Sequence, residues 1–328
     1  MKKLRAALVG LGMMGQNHAR VLSSLEGVDL VAVADPQGDI RGTLPNVEIL
    51  KSIDEVIAKK VDYCVIAAPT AFHEEISLKL IDSGIHILIE KPISHTFESA
   101  QRISNAAKER GVVGAVGHIE RFNAACQQAR SRIQDGELGE IYQISTRRLG
   151  PFPARIADVG VIMDLATHDI DLTTWISNSG YKYLSAQAAT RSGREHEDLV
   201  AIVAGLQNGI VVNHLVNWLS PLKERTTVIT GEKGTFVVDT LNSDLTYYEN
   251  GKIQLSQDGL AHFKGVSQGD VRTFAFEKPE ALRTEHQNFR NAVIGLESSI
   301  VTLDSGCSTV QVAESAIKSY KIHQQVSL

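Results

Sequence analysis

The chain has few cysteines and no excess of positive charge. Three cysteines, Cys64, Cys126 and Cys307, are scattered over 328 residues. They are too few and too widely spaced for a disulfide framework or a metal-binding knuckle. Lys and Arg number 33 against 38 Asp and Glu, so the net charge is -5 and no basic field attracts nucleic acid. We therefore expect a protein of the reducing cytoplasm that binds no metal and no polyanion.

Long apolar runs are absent as well. No run approaches the roughly 20 apolar residues that a membrane-spanning helix needs. The N-terminus, with Lys2 and Lys3 ahead of apolar residues 6–9, imitates the start of a secretory signal. The run stops at Gly10, and polar residues 16–18 follow without a small-residue cleavage pattern. We expect no leader peptide and no membrane partner.

The residues that are present suit a two-domain α/β protein, since 328 residues with 43% hydrophobic content can fill two cores. Residues 1–118 alternate buried strands with helices, which predicts a Rossmann domain with a doubly wound parallel sheet. Residues 119–328 carry longer alternating runs and an Asn-Gly turn at 208–209, which predicts an α+β domain with a mainly antiparallel open sheet. Two helices are expected near its end, at 282–294 and 308–320.

A glycine-rich turn follows the first predicted strand. Residues 4–9 run into Gly10-Leu11-Gly12-Met13-Met14-Gly15, and an amphipathic helix continues from there. Gly10 permits a tight turn, Gly12 lets a pyrophosphate approach the helix N-terminus, and Gly15 lets helix and strand pack closely. The pattern predicts that a dinucleotide contacts Gly10, Gly12, Met13, Met14 and Gly15.

Asp35 strengthens this interpretation, because a bare glycine motif is weak evidence. A second predicted strand, residues 28–34, ends at Asp35, which lies 20 residues past Gly15. That spacing is typical of an acid that binds the adenosine ribose hydroxyls, and its charge would repel a 2′-phosphate. We therefore predict NAD rather than NADP as the cofactor.

The buried run 61–68 ends in Ala68-Pro69-Thr70, at the edge of the sheet where ligands bind. Thr70 either lines the nicotinamide side of the cleft or caps the next helix. His73, one turn into that helix, is more often a local structural histidine than a catalyst.

The run 85–89 ends in Glu90-Lys91-Pro92. Because this end of a parallel strand faces the ligand crevice, Lys91 lies where a cofactor and a substrate could meet. The alternative is that Glu90 and Lys91 form a solvated pair and Pro92 starts the next helix.

A second group of polar residues lies in Asp164-Leu165-Ala166-Thr167-His168-Asp169-Ile170-Asp171. On a helix, Asp164 and His168 are four residues apart and share one face, so the carboxylate can orient the imidazole. On spacing alone this pair is more often a local helix contact than a catalytic dyad. Asp169 and Asp171 are expected to be surface or capping acids.

Together these motifs resemble the family of glucose-fructose oxidoreductase, inositol dehydrogenase and their relatives. The likeness spans nearly the whole chain and rests on the glycine turn, Ala68-Pro69-Thr70 with His73, Glu90-Lys91-Pro92, Gly117-His118, and Asp164 with His168. It implies an NAD-dependent oxidoreductase whose catalytic residues are Lys91, Asp164 and His168. It also implies cofactor contacts at Ala68, Pro69, Thr70, His73, Glu90 and Lys91.

The resemblance implies a role for each catalytic residue. Lys91 would hydrogen-bond the reacting oxygen, and His168, oriented by Asp164, would accept the hydroxyl proton. In some relatives the roles of the lysine and the histidine appear exchanged, and the sequence leaves this open. A non-enzymatic NAD-binding sensor is a rival interpretation, but the presence of all three residues argues against it.

Two stretches, 117–123 and 146–160, resemble the branch of this family that oxidises UDP-N-acetylglucosamine at its 3-hydroxyl. Inositol or a free sugar is the alternative substrate. A sugar nucleotide carries a pyrophosphate, which favours arginine, and the stretches supply Arg121, Arg147, Arg148 and Arg155. Since Arg147 and Arg148 point to opposite faces of a strand, only one can face inward. The predicted substrate contacts are Lys91, Arg121, Asn123, Arg155 and His168.

The predicted antiparallel sheet also implies self-association. Helices on one face leave the other open, and alternating apolar residues such as Val211 and Leu215 need cover. The family resemblance points the same way, so we expect a homodimer or a homotetramer.

Overall fold

The computed structural model describes residues 3–39, 42, 44, 47–152, 159–251 and 267–328. By contacts between residues the chain divides into two compact units. The first, unit 1, comprises Met1–Phe122 and Pro279–Glu314, and the second, unit 2, comprises Asn123–Lys278 and Ser315–Leu328. Within the described residues, no helix is long and apolar enough to cross a membrane.

The strands are β1 (Leu4–Val9), β2 (Val28–Ala34), β3 (Glu48–Leu50), β4 (Tyr63–Ile66), β5 (His86–Glu90), β6 (Gly114–Gly117), β7 (Ile141–Pro151), β8 (Tyr181–Ala189), β9 (Leu199–Leu206), β10 (Val211–Asn217), β11 (Leu219–Gly231), β12 (Gly234–Asp239), β13 (Asp244–Gly251), β14 (Ser267–Thr273) and β15 (Val326–Ser327). The α-helices are α1 (Met13–Ser23), α2 (Ile53–Ala58), α3 (His73–Asp82), α4 (Phe97–Arg110), α5 (Ala124–Gln134), α6 (Thr167–Ser177), α7 (Ala281–Val293) and α8 (Leu303–Ile322). Short 3-10 turns occur at Thr70–Phe72 and Ile119–Phe122, and a π-helical turn occurs at Ile162–Ala166.

The sheet of unit 1 is parallel and six-stranded, in the order β3-β2-β1-β4-β5-β6. Its strands are apolar runs buried on both faces, as in β4, where all four residues are buried. This confirms the predicted doubly wound domain. The strand order reverses between β1 and β4, and such a switch point opens a ligand crevice at the carboxyl ends of the strands.

Side-chain caps start two of the helices of this unit. The hydroxyl of Ser52 accepts a hydrogen bond from the Glu55 N–H at 3.3 Å at the start of α2. The hydroxyl of Thr96 accepts one from the Ser99 N–H at 3.2 Å at the start of α4. Each contact satisfies an N–H group that the helix itself cannot pair.

Unit 2 contains a nine-stranded sheet in the order β14-β13-β12-β11-β7-β10-β9-β8-β15. All neighbouring strands are antiparallel except β7 and β10. The predicted Asn-Gly turn joins β9 to β10, with Gly209 at a φ of +89°. The mainly antiparallel sheet is therefore confirmed.

The two faces of this sheet differ in burial. On β10, Val212, His214 and Val216 are buried, whereas Val211 is 50% exposed. Val203, which pairs with Asn213 across β9 and β10, is 59% exposed. Helix α6 packs near β7, and α5 packs near β12 and β13. One face is thus covered within the unit, and the other presents isolated apolar side chains.

The contact division differs in detail from the predicted domains, 1–118 and 119–328. The chain divides after Phe122, and residues 279–314 pack with unit 1. In that unit Phe289 of α7 packs edge-on against Tyr63 of β4, with ring centroids 5.4 Å apart. An amphipathic pattern shows that a helix needs a core but not which core it covers. The functional division at residue 118 stays a prediction.

Candidate cofactor and active site

The glycine turn has the geometry that the sequence predicts. Gly10 has a φ of +91°, and a Cβ there would lie 2.6 Å from the backbone of Ala67 and Ala68. A Cβ on Gly15 would lie 2.0 Å from the Gly10 carbonyl oxygen. Both positions therefore require glycine. At Gly12 a Cβ would meet no described atom within 4 Å, so open space lies in front of this residue.

Helix α1 begins at this space. Gly12 occupies its N-cap position, and glycine has no side chain to cap the first N–H groups. Met13, the first helical residue, is 54% exposed. The helix N-terminus carries the positive end of the helix dipole, so the arrangement fits the pyrophosphate of a dinucleotide.

Asp35 lies beside the same turn. Its Oδ2 accepts a hydrogen bond from the Leu11 N–H at 2.7 Å, and its Oδ1 accepts one from the Gln37 N–H at 2.8 Å. These bonds orient the carboxylate next to the glycine turn. A carboxylate can accept about four hydrogen bonds, so capacity remains for ribose hydroxyls. The residues thus fit NAD on both its pyrophosphate and its ribose.

The loop after β4 is held by His73. Thr70 begins a 3-10 turn, and the N-cap residue of α3 is Phe72, so Thr70 does not cap that helix. The His73 ring is buried, with Nδ1 3.0 Å from the Pro92 oxygen and Nε2 2.9 Å from the Ala68 oxygen. Burial lowers the pKa of His73 despite these carbonyl contacts, so the ring is neutral and donates to one of them. It links the loops that follow β4 and β5.

Glu90 is not part of a solvated pair. Its side chain is 11% exposed, and its Oε1 lies 2.8 Å from Nε2 of His18. Its Oε2 accepts a hydrogen bond from the Lys91 backbone N–H at 3.0 Å. Burial acts to raise the pKa of Glu90, but the His18 hydrogen bond and the nearby positive charges outweigh burial and lower it. Helix α4 begins at Phe97, so Pro92 does not start it either.

His18 was not predicted as a contact of this site. The histidine is fully buried on α1, on the face that also buries Ala19 and Leu22. A polar residue on the apolar face of an amphipathic helix needs a buried partner, which is the signal that could have identified it.

Asp164 and His168 lie in unit 2, where a π-helical turn replaces the predicted α-helical one. Asp164 belongs to this turn, is 4% exposed, and donates its N–H to the Gly160 oxygen at 3.1 Å. His168 is the second residue of α6. Single π turns inside helices occur frequently at functional sites, so this irregularity supports a role for the segment.

Asp169 and Asp171 were expected to be surface or capping acids, and both expectations are wrong, since both side chains are buried and the N-cap of α6 is Ala166. They are 2% and 1% exposed. The Nε of Arg148 lies 3.1 and 3.2 Å from the two carboxylate oxygens of Asp169. Helix α6 is buried on most of its sides, so acids on it that look solvated in the sequence become interior groups.

The arginines of the two resembling stretches have different environments. Arg148 faces inward, while Arg147 is half exposed and pairs with Glu224 at 2.8 Å, which confirms that only one of the two points inward. Arg121 is partly buried in the 3-10 turn Ile119–Phe122 of unit 1. Arg155 lies outside the described residues.

Asn123 has a structural role that was not predicted. Its Oδ1 accepts a hydrogen bond from the Ala125 N–H at 3.0 Å at the start of α5. Its amide nitrogen donates to the Thr240 oxygen at 3.1 Å and to the Ser243 hydroxyl at 3.0 Å. Both amide protons are therefore used inside unit 2, and one oxygen lone pair remains for a ligand.

The predicted site residues divide between the units. Unit 1 contains the glycine turn, Asp35, Ala68, Pro69, Thr70, His73, Glu90, Lys91 and Arg121, and unit 2 contains Asn123, Asp164 and His168.

Comparison with known proteins gives two matching family models. The model described as "Oxidoreductase family, NAD-binding Rossmann fold" matches residues 4–118, and the "GFO/IDH/MocA C-terminal domain" matches residues 126–237. GenD2 from gentamicin A biosynthesis, solved in complex with NAD, has the same fold, with a TM-score of 0.83 at 23% identity over 100% of this chain and 97% of that chain.

Two relatives match this chain at about 30% sequence identity. UDP-N-acetylglucosamine 3-dehydrogenase of Acidithiobacillus ferrooxidans is 29% identical over 299 residues, which cover 88% of each chain. Its solved structure matches with a TM-score of 0.85 at 26% identity, over 98% of this chain and 99% of that one. Inositol 2-dehydrogenase 4 of Saccharopolyspora erythraea is 30% identical over 233 residues, 66% of this chain and 68% of that protein. With the dinucleotide site of unit 1, these matches establish that the chain is an NAD-dependent dehydrogenase of CH–OH groups and belongs to the Gfo/Idh/MocA family of oxidoreductases.

Proposed function

We propose that the protein oxidises the 3-hydroxyl of UDP-N-acetylglucosamine to the 3-keto sugar nucleotide. The observation that supports this best is the similarity to UDP-N-acetylglucosamine 3-dehydrogenase along 88% of both sequences. The match to that enzyme's structure extends over 98% of this chain, with a TM-score of 0.85. The similarity to inositol 2-dehydrogenase 4 covers a smaller part, 66% of this chain.

Bound NAD supplies the nicotinamide ring that accepts a hydride. The chain supplies three groups in this proposal. Lys91 donates a hydrogen bond to the reacting oxygen and stabilises its developing negative charge. His168, oriented by Asp164, accepts the hydroxyl proton. The alternative is the exchange of these roles, with Lys91 as the base.

Arg121 and Arg155 are the proposed contacts of the substrate pyrophosphate, since a guanidinium can bind phosphate oxygens in a bidentate manner. Arg147 and Arg148 already bind carboxylates within unit 2, at Glu224 and Asp169. These ion pairs make them weaker candidates. Asn123 is the proposed contact of the sugar, through the remaining acceptor capacity of its side-chain oxygen.

The second candidate is an inositol or free-sugar dehydrogenase. It is favoured by the similarity to inositol 2-dehydrogenase 4, at 30% identity over 68% of that protein. Such an enzyme would use the same catalytic residues but would need no pyrophosphate contact. The non-enzymatic sensor is no longer a candidate, because the chain belongs to a dehydrogenase family.

Separate incubations with NAD and UDP-N-acetylglucosamine, its uronic acid, free N-acetylglucosamine or inositol distinguish the candidates. NADH is followed by absorbance, and mass spectrometry and NMR locate the new carbonyl. A carbonyl trap is included in every reaction, so that an oxidation equilibrium on the alcohol side would not hide turnover. We expect NADH and a 3-keto product with UDP-N-acetylglucosamine, and a turnover lower on the order of 10²–10⁴ with Lys91→Met. Turnover of inositol with none on any UDP-sugar would overturn the proposal.

We also propose that the protein is a homodimer or a homotetramer and that the open face of the unit 2 sheet mediates this association. Val203 and Val211 on that face are 59% and 50% exposed. The opposite face of this sheet is already covered within unit 2, and a partner surface would cover the apolar side chains of the open face.

A further inference from the structure

A chain of three titratable side chains crosses the interior of unit 1. Nε2 of His18 lies 2.8 Å from Oε1 of Glu90, and Nδ1 of His18 lies 2.8 Å from Nε2 of His286. Both imidazole rings are fully buried. His18 is on α1 and His286 is on α7, 268 residues later. We refer to these residues as the Glu90–His18–His286 chain.

The protonation of Glu90 determines which atom donates in the hydrogen bond between His18 and Glu90. An ionised carboxylate only accepts, so Nε2 of His18 donates to it. Burial lowers the pKa of His286 well below its usual range, so this ring is neutral. Nδ1 of His18 then either accepts from the Nε2–H of His286 or, in an imidazolium, donates to Nε2. Both arrangements keep His18 as the donor to Glu90.

The other oxygen of Glu90 reaches the proposed catalytic lysine. Oε2 accepts the hydrogen bond of the Lys91 backbone N–H at 3.0 Å. A Cβ on Gly117, which pairs with Glu90 on the neighbouring strand β6, would lie 3.4 Å from this oxygen, so Gly117 lies directly beside the carboxylate. Glu90 therefore connects α1 to the first residue after β5.

Three further side chains interact electrostatically with Glu90. Glu285 is buried, and within the described residues neither of its carboxyl oxygens has a hydrogen-bond partner. Burial and the charge of Glu90 raise the pKa of Glu285 well above its usual range, so it is neutral. His73 and Lys91 also interact with the charge of Glu90.

Replacing buried charged groups by well-packed apolar side chains of similar volume is often neutral or stabilising, so stability alone does not account for a carboxylate and two histidines in this core. Such groups occur often where a function requires them. The Glu90–His18–His286 chain ends at the backbone N–H of Lys91, so we look for its function in the placement of this lysine.

We propose that His18 and His286 are positioning residues of the dehydrogenase reaction. They hold the Glu90 carboxylate, which in turn fixes the backbone of Lys91 and hence the place of its amine. The inference rests on the catalytic role proposed above for Lys91. A displacement of about 1 Å in a reacting group can lower turnover by as much as about 100-fold.

The test compares His18→Leu with His18→Gln, which restores a donor near the position of Nε2. His286→Leu and His286→Gln form a second pair, in case His18→Leu does not fold. The kcat, the KM for UDP-N-acetylglucosamine and for inositol, and the NAD dissociation constant are measured for each. We expect the leucine variants to lose about 10- to 100-fold in kcat while NAD binds nearly as well as in the wild type, and the glutamine variants to recover most of the turnover.

Leu22→Ala is the matched control, because Leu22 is fully buried on the same helix one turn after His18. It should lower the Tm and leave kcat unchanged at temperatures where it is folded. If Leu22→Ala lowers kcat as much as His18→Leu, or if the glutamine variants recover nothing, the positioning role is wrong. If Lys91→Met keeps its turnover, the proposed role of Lys91 fails instead. An inactive Lys91→Met together with fully active leucine variants would overturn this inference alone.

Discussion

Arg148 and Asp169 form a buried ion pair inside unit 2. The Nε of Arg148 lies 3.1 and 3.2 Å from the two carboxylate oxygens, and the two side chains are 3% and 2% exposed. The pair ties β7 to α6, the helix that carries His168 next to Asp169. Burying a charge pair is costly, and removing one partner leaves the other charge in the interior.

Asp169→Ala should therefore destabilise the protein by about 3–5 kcal/mol. The exposed pair Arg147–Glu224 is the matched control, and Glu224→Ala should cost roughly 0–1 kcal/mol because solvent screens it. Urea unfolding of the two variants measures the difference. Equal losses would mean that the buried pair does not hold α6 on the sheet.

Asp35→Ala should weaken NAD binding, since a lost charge-assisted hydrogen bond costs about 1.5–3 kcal/mol. The preference for NAD over NADP should narrow as well, because the charge that repels a 2′-phosphate is removed. Dissociation constants for both cofactors give the result. Asp29→Ala removes an exposed acid of β2, the strand that precedes Asp35, and should change neither, because Asp29 pairs with Lys3. A wild type that uses NADP as well as NAD would contradict the assignment of Asp35.

Lys91→Met and His168→Ala should bind NAD almost normally and lose on the order of 10²–10⁴ in turnover, the usual effect of removing a positioned acid or base. Steady-state kinetics and NAD titration measure the two quantities separately. His323→Ala, an exposed histidine near the C-terminus, serves as the control. Unchanged turnover in His168→Ala would move the base to Lys91.

The stability of unit 2 should fall as the solution becomes acidic. Burial, assisted by the charge of Arg148, lowers the pKa of His214 to about 3. Its unfolded pKa is about 6.5, so the unfolded chain binds a proton that the folded protein excludes. The contribution of His214 is fully present above about pH 6.5 and is lost, by about 1.4 kcal/mol per unit, as the pH falls towards 3.

His214→Gln should therefore flatten this pH dependence. The amide can still reach the hydroxyls of Thr146 and Tyr181, each 2.7 Å from the imidazole. Between about pH 7 and pH 5 we expect the variant to lose about 2 kcal/mol less than the wild type in urea unfolding. If His214→Gln and His323→Gln have the same pH dependence, His214 is not the group responsible.

Val211→Lys should convert the proposed oligomer into a monomer, because it introduces a charge on the open sheet face. Light scattering at micromolar concentration after size-exclusion chromatography gives the molar mass. Leu296→Lys, at a residue of unit 1 that is 57% exposed, should leave the mass unchanged. A wild-type protein that is a monodisperse monomer would contradict the proposed homodimer or homotetramer.

Short-range patterns determined the cofactor half of the protein. The turn from Gly10 to Gly15 and the acid Asp35 follow buried strands directly, so their spacing along the chain sets their positions in space. The apolar alternation and the Asn-Gly turn predicted the second sheet for the same reason, because a hairpin is a local structure. The family resemblance added the candidate roles of Lys91, Asp164 and His168.

Contacts between distant residues were decided only by the tertiary structure. The burial of Asp169 depends on the inward face of β7, where Arg148 lies, and a solvated acid has the same sequence pattern. His18 and His286 meet although 268 residues separate them, and helix periodicity shows that each face is buried but not what it is buried against. The sequence by itself therefore determined the elements and the dinucleotide turn. The packing of those elements decided which charged side chains became interior groups, because burial depends on neighbours that are remote along the chain.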